Sequence, residues 1–173
     1  RAWRFSPAFD QTEWTSKALK AEGAEPQLTS HWAWRRPMRA APAAPVAEAS
    51  PTITATRTTD GLLRLSAVAP PGARTLNLQL RASVAAQVTT VEGVAAGLAL
   101  PAGQWVRVAW QAPGDGLDIV IRPGGAGRLD VRYTAGLDRW PAGVAALPPR
   151  PADIMAWDTS DSTFVSGTRA FTW

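Results

Sequence analysis

The chain has 173 residues, a net charge of +4 and a hydrophobic fraction of 46%, which are ordinary values for one globular domain with an appended segment. It contains no cysteine, which excludes disulfides, thiolate metal sites and cysteine nucleophiles. Its one histidine, His31, excludes zinc sites built from two or three imidazoles and leaves no histidine pair for acid–base catalysis.

The distribution of charge argues against a nucleic-acid partner, and the first residues indicate a fragment of a longer protein. Lysine occurs only at Lys17 and Lys20, and the arginines are scattered along the sequence, so a compositional bias explains them better than a polyanion surface. No run approaches the roughly 20 apolar residues that cross a bilayer. The opening RAWRFSPAFD is not a signal-peptide pattern, and we therefore expect the chain to begin inside a longer protein.

The first 50 residues predict an N-terminal segment and a connector. Asp10 and Glu13 form a capping-box pattern, which predicts a short helix over about residues 10–22 that ends at Gly23. The later stretch AAPAAPVAEASP is typical of an extended, polyproline-like connector.

Two tryptophans and two arginines, Trp32, Trp34, Arg35 and Arg36, stand together between the helix and the connector. Arginine stacking on the indole rings would hold this segment against the rest of the chain. The same four residues would equally serve as an exposed patch that binds a partner. The sequence leaves both interpretations open.

From residue 52 onward the hydrophobic pattern has a period of two. RTLNLQLRA places Leu76, Leu78 and Leu80 on one face, and QWVRVAWQA and GTRAFTW alternate in the same way. The short strands recur about every dozen residues with Gly/Pro turns between them. They predict an all-β fold: an antiparallel β-sandwich, immunoglobulin-like or jelly-roll-like, over residues 51–173. An irregular, partly helical segment is expected over residues 1–50.

Two strand sequences, LDIVIR and RLDVRYT, flank PGGAG and are expected to form a hairpin. Closing this loop symmetrically pairs Asp118 with Arg132 and Arg122 with Arg128. The second pair brings two like charges together, which indicates a shifted register or a bulged loop.

Nine tryptophans are the unusual feature of the composition. Trp105, Trp110 and Trp173 lie in alternating strand sequences, and we expect them in the core. The alternative is a plane of exposed rings, which would indicate a carbohydrate-binding surface or a membrane-interface belt.

The acidic residues predict turns rather than a catalytic or metal site. Asp158 and Asp161 are out of phase with a calcium-binding loop, and Arg169 stands where that loop requires glutamate, so a turn before the last strand is favoured. Asp115 and Asp118 flank a turn glycine and are expected to be solvated rather than a glycosidase pair. We predict no catalytic, cofactor-binding or metal-binding residue.

Three stretches from about residue 50 to the end resemble a known family: GLLRLSAVAPPGARTLNLQL, LPAGQWVRVAWQAPGDGLDIVIRP and LPPRPADIMAWDTSDSTFVSGTRAFTW. They resemble the C-terminal β-rich domain of membrane-anchored bacterial members of metallopeptidase family 28, the di-zinc aminopeptidase-like proteins. The resemblance implies a parent protein with a peptidase domain, several membrane helices and this domain on the periplasmic side. It also implies that residues 1–5 follow the last membrane helix at the membrane surface.

The resemblance implies no activity for this chain itself. The family's zinc ligands include at least two histidines, and only His31 is present. We therefore expect a non-catalytic accessory domain of a membrane-bound zinc exopeptidase, with no cofactor of its own. Its partners would be the peptidase domain and membrane helices of the same polypeptide, and its role structural support, substrate access or protein interaction. The alternative is a Trp-dependent carbohydrate-binding module.

Overall fold

The computed structural model describes residues 1–10, 12–114, 116–156 and 161–173, and within these ranges nearly all of the regular secondary structure is β-strand. The strands form three antiparallel sheets, which confirms the expectation of an all-β fold. Their bounds are β1 (Ala2–Pro7), β2 (Gln27–Thr29), β3 (Met38–Ala43), β4 (Thr52–Arg57), β5 (Leu63–Val68), β6 (Ala73–Ala82), β7 (Ala86–Val91), β8 (Val94–Leu100), β9 (Val106–Gln111), β10 (Leu117–Pro123), β11 (Arg128–Leu137) and β12 (Thr163–Thr172). In the same ranges the one helix is α1 (Glu13–Leu19), and no helix has the length and apolar character needed to cross a membrane.

The chain divides into two compact units. The first contains Arg1–Glu48 and Arg139–Asp161, and the second contains Ala49–Asp138 and Ser162–Trp173. A division of the chain at residue 50 stays a prediction. The proline-rich arm, described over residues 139–156, lies in the same compact unit as the N-terminal residues.

The first unit contains a small antiparallel sheet in the order β1-β3-β2, where an irregular segment was expected. Ala40 and Ala41 of the central strand β3 are buried. Pro42, expected in the polyproline-like connector, lies in β3 opposite Trp3. Strand β2 pairs with β3 only as far as Ala40. Because β3 has a single neighbour at Pro42, the missing backbone N–H is tolerated there.

Helix α1 has a different cap from the predicted one. Thr12 is the N-cap, and its Oγ1 accepts a hydrogen bond from the backbone N–H of Thr15 at 3.2 Å. Asp10 instead accepts hydrogen bonds from the hydroxyls of Ser6, at 2.9 Å, and Thr15, at 2.8 Å. The carboxylate therefore joins the end of β1 to the first turn of the helix.

The arm 139–161 contacts the N-terminal residues within the first unit. Trp14 of α1 donates its indole N–H to the carbonyl oxygen of Pro148 at 3.1 Å. The guanidinium of Arg150 lies 4.7 Å from the centroid of the same indole ring. Arg139 pairs with Glu48 at 2.6 Å. These contacts explain why the arm belongs to this unit despite its distance along the sequence.

The second unit contains a five-stranded sheet, β4-β5-β10-β7-β8, and a four-stranded sheet, β12-β11-β6-β9. Buried side chains from both sheets form one hydrophobic cluster. Leu76, Leu78 and Leu80 of β6 are completely buried in it, as their alternation predicts. Burial of each such side chain contributes about 1.5–3 kcal/mol, so β6 is a main source of stability in this unit.

The predicted hairpin between β10 and β11 is wrong, because the two strands lie in different sheets. β10 pairs with β5 and β7, whereas β11 pairs with β6 and β12. The loop PGGAG therefore crosses from one sheet to the other. Asp118 lies opposite Ser66 of β5 and Arg122 lies opposite Gln87 of β7, so neither predicted cross-strand pair forms. The like-charge conflict of the predicted register is removed in this arrangement.

Candidate functional site

The predicted interaction patch lies in the loop that connects β2 to β3. Arg35 and Arg36 are exposed, whereas Trp32 and Trp34 are each partly buried. The ring centroid of Trp34 lies 4.9 Å from that of Phe5 in β1. Trp34 therefore packs within the first unit and leaves the two arginines as the exposed part of the patch. A binding role for these four residues stays a prediction.

His31 lies between the two tryptophans of this loop. Its ring centroid is 5.0 Å from that of Trp32 and 5.4 Å from that of Trp34. The imidazole Nδ1 accepts a hydrogen bond from the backbone N–H of Ala33 at 3.2 Å. His31 therefore takes part in the aromatic packing and in the local turn of this loop.

The sequence suggested two acidic pairs, Asp158 with Asp161 and Asp115 with Asp118, and the structure describes one residue of each pair. Asp161 has a φ of +56°, a turn conformation that Asp adopts more readily than most residues, and it pairs with Arg150 at 2.6 Å. Asp118 pairs with Arg64 of β5 at 2.6 Å. Asp158 and Asp115 lie outside the described residues. Among the residues that are described, no group of three or more His, Asp or Glu side chains could hold a metal ion.

The outer face of the four-stranded sheet gathers arginines that are far apart in the sequence. Leu80, Val108 and Val131 are buried on the inner face of β6, β9 and β11, so the alternate positions point outward. We call this outward surface the arginine–tryptophan face. It consists of Asn77, Gln79, Arg81, Trp105, Arg107, Arg128, Asp130 and Arg132.

Trp105 contacts two arginines of this face through its indole ring. The guanidinium carbons of Arg132 and Arg81 lie 4.0 Å and 4.6 Å from its ring centroid, within range of cation–π attraction. The expectation that Trp105 belongs to the core is not met, although Trp110 and Trp173 do pack against the core cluster. Trp110 comes five positions after Trp105, and an odd spacing along an extended strand places two side chains on opposite faces.

Asp130 supplies the negative charge of the face. Its carboxylate accepts hydrogen bonds from Nη2 of Arg81 at 2.8 Å and from Nε of Arg128 at 2.7 Å. The hydrogen bond from Arg81 is the main cause that holds the pKa of Asp130 below its usual value. Partial burial opposes this effect, and the hydrogen bond and charge of Arg128 add to the lowering. The described outward positions of this sheet therefore carry four guanidinium groups and one carboxylate.

The polar side chains of the face form rows that run across the strands. Arg107 and Arg132 lie on either side of Gln79 in the strand register. Neighbouring strands are about 4.8 Å apart, so the two arginines start from backbones roughly 10 Å apart. Arg107 also donates a hydrogen bond to Asn77 Oδ1 at 2.7 Å. The face therefore presents several fixed donors at regular spacing.

A second polar feature lies on the outer side of the five-stranded sheet. It is an open depression of about 520 Å³. The ion pair of Arg64 and Asp118 lies in it, beside the hydroxyls of Thr54, Thr56 and Ser66. This combination offers donors and acceptors to a polar ligand, without an aromatic ring.

Comparison with protein-family models, with curated proteins and with solved structures finds no match to this chain. The likeness to metallopeptidase family 28 therefore depends on the quoted sequence stretches alone.

The arginine–tryptophan face was missed from the sequence because its arginines belong to three different strands. Arg81 and Arg132 are about fifty residues apart, and only the pairing of β6 with β11 brings them to one ring. The sequence did contain one signal. Trp105 and Arg107 are two positions apart and so lie on the same face of the strand, whereas Trp110 lies on the opposite face.

Proposed function

We propose that this chain is a non-catalytic accessory module whose second unit is an antiparallel β-sandwich. The five-stranded and four-stranded sheets would form its two layers. The shared hydrophobic cluster supports this, because inward side chains of two facing sheets make one core in a sandwich. A sandwich of this kind leaves the two outer faces available for recognition.

We propose further that the module belongs to a membrane-anchored protein similar to metallopeptidase family 28, on its periplasmic side. The support is the resemblance of the stretches that begin at Gly61, Leu100 and Leu147. In that setting the zinc ligands belong to another part of the polypeptide. This chain would act by contacting other domains or by shaping access to the peptidase site.

The arginine–tryptophan face is the feature that most strongly supports a role in binding a partner. Tryptophan and arginine are the residue types most enriched at energetically important positions of protein interfaces. Here the guanidinium groups of Arg81 and Arg132 both lie over the ring of Trp105, on the outer face of a sheet whose inner face is core. The ring and both guanidinium groups are therefore partly fixed before any partner binds.

Two experiments test the proposal. The purified chain, with and without added Zn²⁺, is expected to release no product from aminopeptidase substrates such as leucine p-nitroanilide. Turnover that co-purifies with the chain, with or without added Zn²⁺, would contradict a non-catalytic role. Reading the coding sequence upstream of Arg1 tests the context. A zinc-peptidase domain and hydrophobic spans are expected there, and an unrelated coding sequence would remove the metallopeptidase proposal.

A carbohydrate-binding module is the second candidate function, and the polar depression favours it. The hydroxyls of Thr54, Thr56 and Ser66, with the ion pair of Arg64 and Asp118, supply the donors and acceptors that a polyol requires. Salt-independent binding to an immobilised neutral glycan such as xylan, lost in Arg64→Ala, would support this candidate. Unchanged binding in that variant would exclude the depression as the sugar site.

A further inference from the structure

We propose that the arginine–tryptophan face docks an acidic surface of a protein partner. This inference depends on the proposed role in recognition and names the class of partner. Four guanidinium groups and one carboxylate give the outward positions of this sheet an excess of positive charge. Opposite charge on a partner lowers the free energy of the encounter and orients it.

The arginines are accessible although they are ordered by neighbours. The side chains of Arg81 and Arg128 are 42% and 59% exposed while both bind Asp130. Surface ion pairs of this kind contribute little, so a partner carboxylate can take over a guanidinium at small cost. Arginine also presents two N–H groups to one carboxylate, which gives geometric specificity.

The geometry at Trp105 favours protein over glycan. A sugar stacks on an open indole face, whereas two guanidinium groups already lie over this ring. The stacked unit of Trp105, Arg81 and Arg132 is instead a composite of the residue types that dominate protein interfaces. The face is the side-chain surface of a sheet and not a strand edge, which favours a folded acidic surface over an extended peptide that adds a strand.

The same features disfavour a nucleic acid. Single strands bind through several aromatic platforms on which successive bases stack. Among the eight residues that make up this face, Trp105 has the only aromatic ring, and its stacking partners are guanidinium groups. Asp130 also places a negative charge where a phosphate chain would pass.

The test uses poly-L-glutamate as an acidic polypeptide probe, with polygalacturonate and double-stranded DNA as competing classes. Binding to the full chain is measured by calorimetry at low and at physiological salt. The double variant Arg107→Ala/Arg132→Ala removes two charges from the face. Its matched control, Arg57→Ala/Arg122→Ala, removes two exposed charges from the five-stranded sheet.

We expect poly-L-glutamate to bind more tightly than either competitor. The face variant is expected to lose about tenfold or more in affinity, and the control less than about twofold. Trp105→Ala is expected to weaken binding by about three- to tenfold, and Trp105→Phe to restore most of it, because a phenyl ring still accepts the guanidinium groups. A melting curve is recorded for each variant, and only variants that are folded are compared.

Three results would overturn the inference: no binding to poly-L-glutamate, equal losses in the face and control variants, or tighter binding to polygalacturonate or DNA. The proposed non-catalytic role is tested by a different measurement. If it is wrong, the same preparation hydrolyses peptide substrates, and the binding measurements do not detect that hydrolysis.

Discussion

Asp130→Asn is expected to lower stability and raise affinity for acidic probes at the same time. Asp130 accepts hydrogen bonds from Arg81 and Arg128, and its own side chain is 21% exposed. Asparagine keeps the size of the side chain but removes the charge, and it replaces one carboxylate oxygen with an amide NH₂ group that faces guanidinium donors. Two partly exposed ion pairs contribute about 0.2–1 kcal/mol each, so the loss in the free energy of unfolding is about 0.4–2 kcal/mol.

The pH dependence of this loss follows from the lowered pKa of Asp130, which is caused first by the hydrogen bond from Arg81. A carboxylate with a folded-state pKa below its unfolded value stabilises the fold above the unfolded pKa, about 3.9. That contribution disappears as the pH falls through the folded-state pKa. Urea unfolding is therefore expected to separate wild type and Asp130→Asn at pH 5–7, with convergence toward pH 2. A difference that persists unchanged at pH 2 would refute the reasoning.

Affinity supplies the second readout for the same variant. For an anion about 7 Å from Asp130 in an effective dielectric of about 40–80, loss of the negative charge gains about 0.6–1.2 kcal/mol, or about three- to eightfold. Asp118→Asn is the matched control, because it removes an ion-paired aspartate from the five-stranded sheet. The control is expected to leave affinity for poly-L-glutamate unchanged. Equal gains in both variants would show that net charge, rather than this face, attracts the probe.

Three further predictions follow from the packing and the helix cap. Leu78→Ala is expected to cost about 2–5 kcal/mol in urea unfolding, because Leu78 is completely buried beside Tyr133 and Val108, and a cost under about 1 kcal/mol would contradict the shared core. Thr12→Ala is expected to destabilise α1 by about 0.5–2 kcal/mol, seen as faster amide exchange in the helix, while exchange in β6 is unchanged. Chelation with EDTA is expected to leave the melting temperature of the chain unchanged, and a clear decrease would reveal a structural metal.

The alternation of the sequence predicted the strands and much of the core, because a period of two is a local property. Leu76, Leu78 and Leu80 are buried as expected. Which strands pair is not local, and the short loop between β10 and β11 suggested a hairpin where the chain crosses between sheets. The pairing of Arg122 with Arg128 in that hairpin was a signal against it, since like charges destabilise directly opposed positions.

The N-terminal sheet escaped prediction because small residues and prolines carry little strand signal. β3 has the sequence MRAAPA, whose composition suggested a connector. Its strand character comes from pairing with β1 and from burial of Ala40 and Ala41, which are tertiary effects. The face around Trp105 escaped for a related reason, since each of its arginines is ordinary until β6, β9 and β11 bring them together.

The most direct test of recognition through this face is a residue-resolved titration. In ¹H–¹⁵N spectra of the labelled chain with poly-L-glutamate added, the account predicts shifts at the indole N–H of Trp105, the Nε–H of Arg81 and Arg132, and neighbouring amides of β6, β9 and β11. Shifts confined to the depression around Arg64, or to the loop of Trp32, would contradict it.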